Sequence, residues 1–358
     1  MDKNALLYYQ SACALTLSPI KTAQVGGFTI KLAKRNFFFR GGETPFNCGS
    51  SISIAENKYC MNKTLEAAGF PVPKANAFSK DEFRKEKLEC LIEHLSFPLV
   101  VKPMLGTALG RDVLCNINSI EQLRAHMKSC YKRYKFLLIE EFHPNLTHYR
   151  VLVFYNKVIG VVERIPAAVV GDGIHSIKEL IVIHNVEREK LKATVSLGPI
   201  KVDGEYLIRL NELNITLDTI PENNETITLC YTCNSTRGGT MISLGKQICK
   251  ENAHLLCQAA KALNLNIVGF DVACEDICIP IAESHGVIIE ANYNPDITIH
   301  ESPMFGISNR VSKTILARLI FRHPISYILG LNQHRRARMY IKLSLLVFFI
   351  ATFKLISV

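Results

Sequence analysis

Acidic residues are absent from the C-terminal part of this 358-residue sequence. From Ser302 to Val358 there are nine Lys or Arg and no Asp or Glu, whereas residues 1–301 carry 33 basic and 32 acidic residues. The formal charge of +10 therefore describes the tail and not the body of the chain. A nucleic-acid-binding body is expected to carry a basic patch of its own. The nearly neutral body therefore excludes nucleic acid from the partners that we expect.

Cysteines are too few and too scattered for a disulfide scaffold, with twelve in the whole chain. Such usage is typical of a reducing compartment and predicts a cytoplasmic location. Two close pairs, Cys230 with Cys233 and Cys274 with Cys278, leave a structural zinc site open as an alternative. Only the first pair has the usual two-residue gap, and both lie in runs that favour strands. We therefore interpret these residues as buried free thiols.

A full membrane-spanning run is also missing. The C-terminal apolar run, residues 343–353, has eleven residues, and a bilayer needs about 18–20. If the run is extended to residues 339–358, with Lys342 and Lys354 snorkelling to the interfaces, it would nearly span a bilayer. The basic stretch 334–338 precedes it. Two interpretations stay open: a terminal helix docked on the protein or a partner, and attachment to the cytoplasmic face of a membrane.

The rest of the chain has globular composition, with 48% hydrophobic and 21% charged residues and no repeat or low-complexity segment. This excludes collagen-like and wholly disordered chains. Short apolar runs predict strands over 97–103, 136–142 and 266–273, and helical patterns predict helices over 52–68 and 246–263. We therefore expect an α+β fold built from lobes.

Three candidate metal ligands lie in two predicted strands. Asp271 interrupts one apolar run, and Glu290 and Asn292 share one face of another because alternate strand residues point the same way. A charged side chain in an apolar strand is costly unless it is paired or bound to metal. Each acid alone fits a salt-bridged strand end, but two such strands together favour a Mg²⁺ site.

Basic residues suited to phosphate lie elsewhere along the chain. Lys102 ends a predicted strand just before a loop that contains Gly106 and Gly110, and such loops hold nucleotide phosphates in several folds. Arg150 and Arg164 open and close a predicted hairpin. Each arginine fits a surface position. Facing a metal site, however, a guanidinium neutralises a transferring phosphoryl group.

The strand that ends at Glu140, Glu141 and Phe142 has the form of a purine-pocket hinge, which offers backbone N–H and C=O groups to adenine. A solvated acidic strand end is the alternative.

The order of these residues resembles the ATP-grasp superfamily, and within it the ligase domains of cyanophycin synthetase and of the bifunctional bacterial glutathione-synthesis protein. The resemblance covers residues 37–323. The matching phrases are 38–45 (FFRGGETP), 55–58 (AENK), 68–73 (AGFPVP), 139–142 (IEEF), 148–152 (HYRVL), 163–167 (ERIPA), 170–173 (VGDG), 217–221 (LDTIP), 238–240 (GGT), 269–272 (GFDV) and 289–292 (IEAN).

The resemblance implies an ATP-grasp fold, in which two α+β lobes clasp ATP. The implied division is an N-terminal segment 1–50, an ATP-grasp domain 51–323 with its lid lobe at about 98–142, and a tail 324–358. The implied site residues are Lys58 and Lys102 on the nucleotide phosphates, Gly106 and Gly110 in the closing loop, Glu140, Glu141 and Phe142 at adenine, Asp271, Glu290 and Asn292 on two Mg²⁺ ions, and Arg150 and Arg164 on the γ-phosphate and the substrate carboxylate.

The activity implied is an ATP-dependent carboxylate–amine ligase that acts through an acyl phosphate, without the Mur-ligase-like domain of cyanophycin synthetase. Its substrates would be an acid and an amine, as amino acids or peptides, and a homodimer is what the resemblance suggests. Two positions depart from the family pattern, Asp112 in place of glycine and Ser243 in place of aspartate. Because an aspartate near the phosphates adds like charge, a catalytically weak, membrane-tethered ATP-binding module is the alternative.

Overall fold

The computed structural model describes residues 1–32, 34–85, 87–105, 112–191 and 197–331, with scattered residues between 339 and 352. The chain forms two compact units, one of residues 1–45 with 310–358 and the other of residues 46–309. The division of the sequence at residues 50 and 323 stays a prediction.

The first unit contains three α-helices and one antiparallel sheet among its described residues. They are α1 Lys3–Ala14, β1 Ile20–Thr22, β2 Gly27–Leu32, β3 Arg35–Phe39, α11 Val311–Arg322 and α12 Pro324–Leu331. The carboxylate of Asp2 begins α1 by accepting the N–H of Ala5 at 2.8 Å. Helix α1 packs against α11, where the hydroxyls of Ser11 and Ser312 lie 2.7 Å apart.

The second unit is built around a six-stranded and a four-stranded sheet. Its elements are α2 Gly49–Glu56, α3 Lys58–Ala67, β4 Ala75–Ser79, α4 Lys80–Lys85, α5 Leu88–Leu91, β5 Leu99–Pro103, β6 Leu114–Ile117, α6 Ile120–Cys130, β7 Phe136–Glu141, β8 Thr147–Phe154, β9 Lys157–Ile165, β10 Ala168–Val170, α7 Ile177–Leu191, α8 Gly204–Glu212, β11 Thr226–Thr228, β12 Thr240–Gly245, α9 Lys250–Ala262, β13 Ile267–Cys274, β14 Val287–Asn292, α10 Thr298–Glu301 and β15 Phe305–Gly306.

The large sheet has the order β14-β13-β8-β9-β12-β15, and the small sheet has the order β4-β7-β5-β6. Strands β10 and β11 form a separate pair. Neighbouring strands are antiparallel except β12 and β15, which are parallel. This mixture of sheets and helices confirms the predicted α+β class.

Strand alternation separates the two faces of the large sheet. Val268, Phe270 and Val272 of β13 belong to a buried core that also takes side chains from α3 and α9. The residues between them, which include Asp271, therefore point to the opposite face. Helix α9 covers one face with apolar side chains, and the other face carries the polar residues.

The helix predicted over residues 52–68 is wrong as a single element, because the chain forms α2 and α3 with a break at Asn57. The backbone of Asn57 is extended, with ψ of 104°, and its side chain accepts the N–H groups of Tyr59 and Cys60, both at 3.1 Å. An asparagine that satisfies the first free N–H groups of a helix starts a new helix there.

All twelve cysteines are free. Cys230, Cys233 and Cys274 are buried, as predicted, whereas Cys278 is exposed because it lies in a turn where its N–H bonds to the Asp276 carboxylate. Within the described residues, no group of three His, Cys, Asp or Glu side chains is arranged to hold a metal ion. The zinc alternative therefore finds no support.

The tail prediction for residues 339–358 lies mostly outside the described residues. Among the residues that are described, no helix has the length and apolar character needed to cross a bilayer.

Gly160 of β9 tests the packing of the large sheet. A Cβ at this position would lie 2.5 Å from Nδ1 and 2.9 Å from Cε1 of His300, whose ring is fully buried. We expect Gly160→Ala to lower the free energy of unfolding by about 1–3 kcal/mol, because an added methyl in a packed core forces its neighbours to move. Chemical denaturation measures the change.

Gly49→Ala is the matched control, because nothing lies within 4 Å of its Cβ position, and its stability should be unchanged or slightly higher. Combining Gly160→Ala with His300→Ala removes the clash, so the double variant should lose less stability than the two single losses added. Wild-type stability of Gly160→Ala would contradict this packing.

Candidate active site

A cavity of about 450 Å³ lies between the six-stranded and four-stranded sheets of the second unit. Strands β8, β9, β13 and β14 line one side, and β5, β6 and β7 line the other. Residues 231–236, which follow β11, form a further wall. The polar face of the large sheet therefore opens into this pocket.

Strand register brings the charged residues of the large sheet together. Asp271 of β13 lies opposite Arg150 of β8 and opposite Glu290 of β14, so the three form a row across the sheet. Asn292 lies two residues from Glu290 on the same face. Arg164 of β9 also reaches Asp271, with Nη1 2.6 Å from Oδ2.

Asp271 is the centre of this row. Arg150 donates to it through Nε and, at 3.1 Å, through Nη2, so both carboxylate oxygens accept hydrogen bonds from guanidinium groups. Burial acts to raise the pKa of Asp271, but Arg150 and Arg164 outweigh burial and hold the pKa well below its usual range. The buried carboxylate therefore stays ionised and orients both arginines.

Two lysines in the pocket are paired with acids in the same way. Lys58 Nζ lies 2.8 Å from Glu290 Oε1, and Lys102 Nζ lies 2.6 Å from Glu140 Oε2. The Lys102 and Glu140 side chains are only 7% and 4% exposed. Burial acts to lower the pKa of Lys102, but the charge of Glu140 outweighs it and the pKa is raised. Both lysines therefore lie in the pocket in direct contact with a carboxylate.

Every candidate site residue that the structure describes lines this one pocket. They are Lys58, Lys102, Glu140, Glu141, Phe142, Arg150, Arg164, Asp271, Glu290 and Asn292. Gly106 and Gly110 lie outside the described residues. The roles that the resemblance implies for all of these residues stay predictions.

The end of β7 differs from the expected hinge. The N–H groups of Glu141 and Phe142 already donate to backbone carbonyls of adjoining segments, at 3.0 and 2.8 Å, so the protein itself uses these donors. Two other polar atoms at this end, Oε1 of Glu140 and Nε2 of His143, are buried and have no hydrogen-bond partner among the described residues. A ligand here would meet these two atoms.

The predicted magnesium ligands offer two carboxylates and one amide. Glu290 uses Oε1 for Lys58, and Asn292 donates through Nδ2 to Gly269 O at 3.2 Å, so Glu290 Oε2 and Asn292 Oδ1 take no part in these bonds. Oxygen atoms of this kind suit Mg²⁺, and the donor set therefore fits that ion. Asp271 would join it only after the arginines release an oxygen.

A buried carboxylate that the sequence analysis missed holds the wall of residues 231–236. Glu205, in the first turn of α8, accepts the N–H of Tyr231 at 3.1 Å and the N–H of Thr232 at 3.0 Å. It also accepts the Thr232 hydroxyl and Nη1 of Arg237, both at 2.8 Å. Because these partners lie more than 25 residues along the chain, no local pattern marks Glu205.

Tyr231 connects that wall to the four-stranded sheet. Its hydroxyl accepts from Asn116 Nδ2 at 2.9 Å and from Arg209 Nη1 at 2.7 Å, and donates to Glu212 Oε2 at 2.8 Å. Its ring meets Phe142 edge to face, with centroids 5.1 Å apart. Asn116 belongs to β6, so one tyrosine joins three parts of the pocket.

One histidine and two cysteines of the pocket are neutral near pH 7. Burial and the charge of Arg164 lower the pKa of His148 to about 4. Burial raises the pKa of Cys233 to about 12 and raises that of Cys115 even further above its usual range. Both thiols are therefore protonated near pH 7, and the pocket does not offer a thiolate nucleophile.

The two departures from the family pattern have local partners. Asp112 adopts φ of +59°, a conformation that favours glycine, and its carboxylate accepts from Arg133 and, at 2.6 Å, from the Tyr134 hydroxyl. Ser243 donates to the Ile307 carbonyl at 2.7 Å. Neither side chain lines the pocket. The argument that Asp112 adds like charge at the phosphates therefore finds no support in its contacts.

Parts of several known proteins are similar in sequence to this chain. No protein-family model matches. Cyanophycin synthetase from Crocosphaera subtropica is 32% identical over 291 residues, which cover 79% of this chain and 33% of that protein. A glutathione biosynthesis bifunctional protein from Enterococcus faecalis is 31% identical over 274 residues, covering 74% of this chain and 35% of that protein. The chain thus spans about a third of the length of these relatives.

One solved structure is similar across most of the chain. The bifunctional glutathione synthetase from Pasteurella multocida aligns with a TM-score of 0.62 and 23% identity, covering 90% of this chain and 44% of that one. This likeness shows the fold that the two chains share.

Glu205 should be needed for stability, because its charge satisfies buried donors. Glu205→Gln puts an NH₂ group among those donors, and we expect the free energy of unfolding to fall by about 1–3 kcal/mol in chemical denaturation. Glu222→Gln, at an exposed acid of the following loop, is the matched control and should change little. Equal stability of the two variants would show that Glu205 does not hold the wall.

Proposed function

Because the chain carries an ATP-grasp domain that resembles those of cyanophycin synthetase and the bifunctional glutathione biosynthesis protein, we propose that it is an ATP-dependent carboxylate–amine ligase. The observation that carries this proposal is the single pocket that gathers two lysines, two arginines and the three oxygen-bearing residues Asp271, Glu290 and Asn292. Such a set binds a nucleotide triphosphate beside a second anion. A homodimer stays a prediction.

The chemistry has two steps. A carboxylate oxygen of the acid attacks the γ-phosphorus of ATP, the bond to the bridging oxygen breaks, and ADP leaves. The amine nitrogen then attacks the carbonyl carbon of the acyl phosphate, inorganic phosphate leaves, and the nitrogen loses a proton. The product is an amide or peptide bond. Positioning and charge stabilisation account for most of such catalysis.

The cations of the pocket would exchange partners when ATP enters. Lys58 and Lys102 would pass from Glu290 and Glu140 to the phosphates, and Arg150 and Arg164 would face the γ-phosphate and the substrate carboxylate. Bound Mg²⁺ at Asp271, Glu290 and Asn292 would supply charge that neutralises the transferring group. The contacts among these residues support this assignment, because each cation already contacts an oxygen anion.

Adenine would lie at the end of β7. Glu140 Oε1 and His143 Nε2 are buried there and lack partners within the described part of the chain, and a purine edge supplies an amino donor and ring nitrogens. Buried polar atoms of this kind gain when a ligand completes their hydrogen bonds. The substrates are proposed to be an acid and an amine of the amino-acid or peptide class.

Purified protein with Mg-ATP should release ADP only when an acid and an amine, tested as paired amino acids and dipeptides, are both present. Asp271→Asn and Glu290→Gln should each lower this release by about 100-fold or more, because they remove carboxylates that would hold Mg²⁺ at the reacting phosphate, and Asp271 also orients Arg150 and Arg164. The measurement is ADP formation in a coupled assay, with circular dichroism to check the fold.

Glu163→Gln is the matched control, because Glu163 alternates with Arg164 on β9 and so lies on the other face of the sheet; it should keep full activity. Full activity of Asp271→Asn or Glu290→Gln would contradict the proposed metal and phosphate roles. ATP binding without ADP release for any pair would instead favour the ATP-binding module.

A further inference from the structure

The two units carry opposite formal charge. Residues 1–45 and 310–358 together contain 15 Lys or Arg and 2 Asp or Glu, a formal charge of +13. Residues 46–309 contain 27 Lys or Arg and 30 Asp or Glu, a formal charge of −3. All the described residues that line the pocket belong to the second unit.

Helices α11 and α12 each bury one side against other residues of the first unit. Ile315 and Leu319 of α11 are buried within the first unit, beside the contact between the hydroxyls of Ser312 and Ser11. On α12, the Tyr327 hydroxyl donates to the Leu15 carbonyl at 2.8 Å. These contacts fix which side of each helix is free to face outwards.

The outer side carries apolar residues. Phe321, Ile325, Ile328 and Leu329, which we call the α11–α12 stripe, are 79%, 74%, 53% and 65% exposed. Within α12, Ile325, Ile328 and Leu329 are three and four residues apart and therefore share one helical face, whereas Phe321 belongs to the last turn of α11. Exposed single apolar residues are ordinary, but three large ones on one face of α12, close in sequence to exposed Phe321, mark a surface that meets something apolar.

Further apolar residues beyond α12 are also exposed. Among the described residues of the tail, Met339, Tyr340, Leu343, Leu346, Val347 and Ile350 are each more than half exposed. The chain therefore continues to present apolar side chains after the stripe.

Basic residues accompany the stripe. Arg310, Lys313, Arg318 and Arg322 are exposed on and beside α11, and no acidic residue occurs after Glu301. A second copy that used the same face would bring two strongly positive units together, which like charge opposes. Nucleic acid would complement the positive charge, but it would leave the large apolar side chains exposed to water. A bilayer surface with anionic lipids can contact both the basic and the apolar side chains.

We propose that the α11–α12 stripe docks the first unit flat on a membrane surface that contains anionic lipid. The apolar side chains enter the boundary between headgroups and acyl chains, and the surrounding Lys and Arg contact the headgroups. The proposal needs no helix that crosses the bilayer. It is independent of the ligase function, since the pocket lies in the other unit.

Sedimentation of the full chain with vesicles tests the proposal. The protein should bind vesicles of phosphatidylglycerol mixed with phosphatidylcholine, bind vesicles of phosphatidylcholine alone much more weakly, and lose affinity as NaCl is raised, because salt screens the headgroup attraction. No ATP or amino acid is present, so failure of the ligase proposal leaves this result unaffected.

A matched pair of double variants tests the stripe itself. Ile325→Glu with Leu329→Glu should raise the lipid concentration for half-maximal binding by about tenfold or more, because two apolar anchors are lost and two like charges approach the lipid. Ile174→Glu with Val182→Glu adds the same charge at residues of the second unit that are 71% and 60% exposed, and should bind nearly as the wild type does. Circular dichroism melting checks that both fold.

Three outcomes would overturn the proposal. They are the absence of binding to the anionic vesicles, equal binding to phosphatidylcholine alone, and equal loss of binding in the two double variants. Light scattering of the protein without lipid measures whether it forms a dimer. If the wild type does not bind vesicles but forms a dimer, and the Ile325→Glu/Leu329→Glu variant is monomeric, a second copy of the chain is the partner instead.

Discussion

The ionised carboxylate of Asp271, buried at the centre of β13, is the constraint on which the pocket depends. A buried charge is tolerated only with partners of opposite sign, and here the guanidinium groups of Arg150 and Arg164 supply them from β8 and β9. Three strands must therefore keep one register. A slip of one residue would turn Asp271 into the apolar core and Phe270 into the pocket, so the same pair of contacts specifies the sheet and orients the site.

The same principle extends across the pocket, where Lys58 and Lys102 also contact carboxylates. The cations are thereby held in place before any ligand arrives, and the cost of their burial is offset within the protein. Any anionic ligand of this pocket would compete with these carboxylates for the cations, so its affinity would depend on the difference between two sets of ion pairs. Such a pocket favours ligands of high negative charge over weakly charged ones.

The sequence allowed good prediction where the pattern was local. Glu290 and Asn292 could be placed on one face of a strand because strand alternation is a local rule. The break at Asn57 was missed because an apolar period continues through it. Glu205 was missed because its partners are distant in sequence. The sequence analysis assigned the positive charge to the C-terminal tail alone, because residues 1–45 and 310–358 come together only in the folded chain.

The Tyr231 hydroxyl lies where the wall of residues 231–236 meets the four-stranded sheet. It is held by Arg209 and Glu212 from α8, and only its bond to Asn116 reaches the four-stranded sheet. Asn116 Nδ2 also donates to Glu212 Oε1 at 3.1 Å, so an outward movement of that sheet would break both bonds of Asn116 and the ring contact with Phe142, while Tyr231 keeps Arg209 and Glu212. A neutral hydrogen bond contributes about 0.5–1.5 kcal/mol and one to a charged group about 1.5–3 kcal/mol, so Asn116 accounts for a limited part of the hold on that sheet. The wall of residues 231–236 would then keep its shape while the four-stranded sheet moves, because its own contacts to α8 do not depend on that sheet.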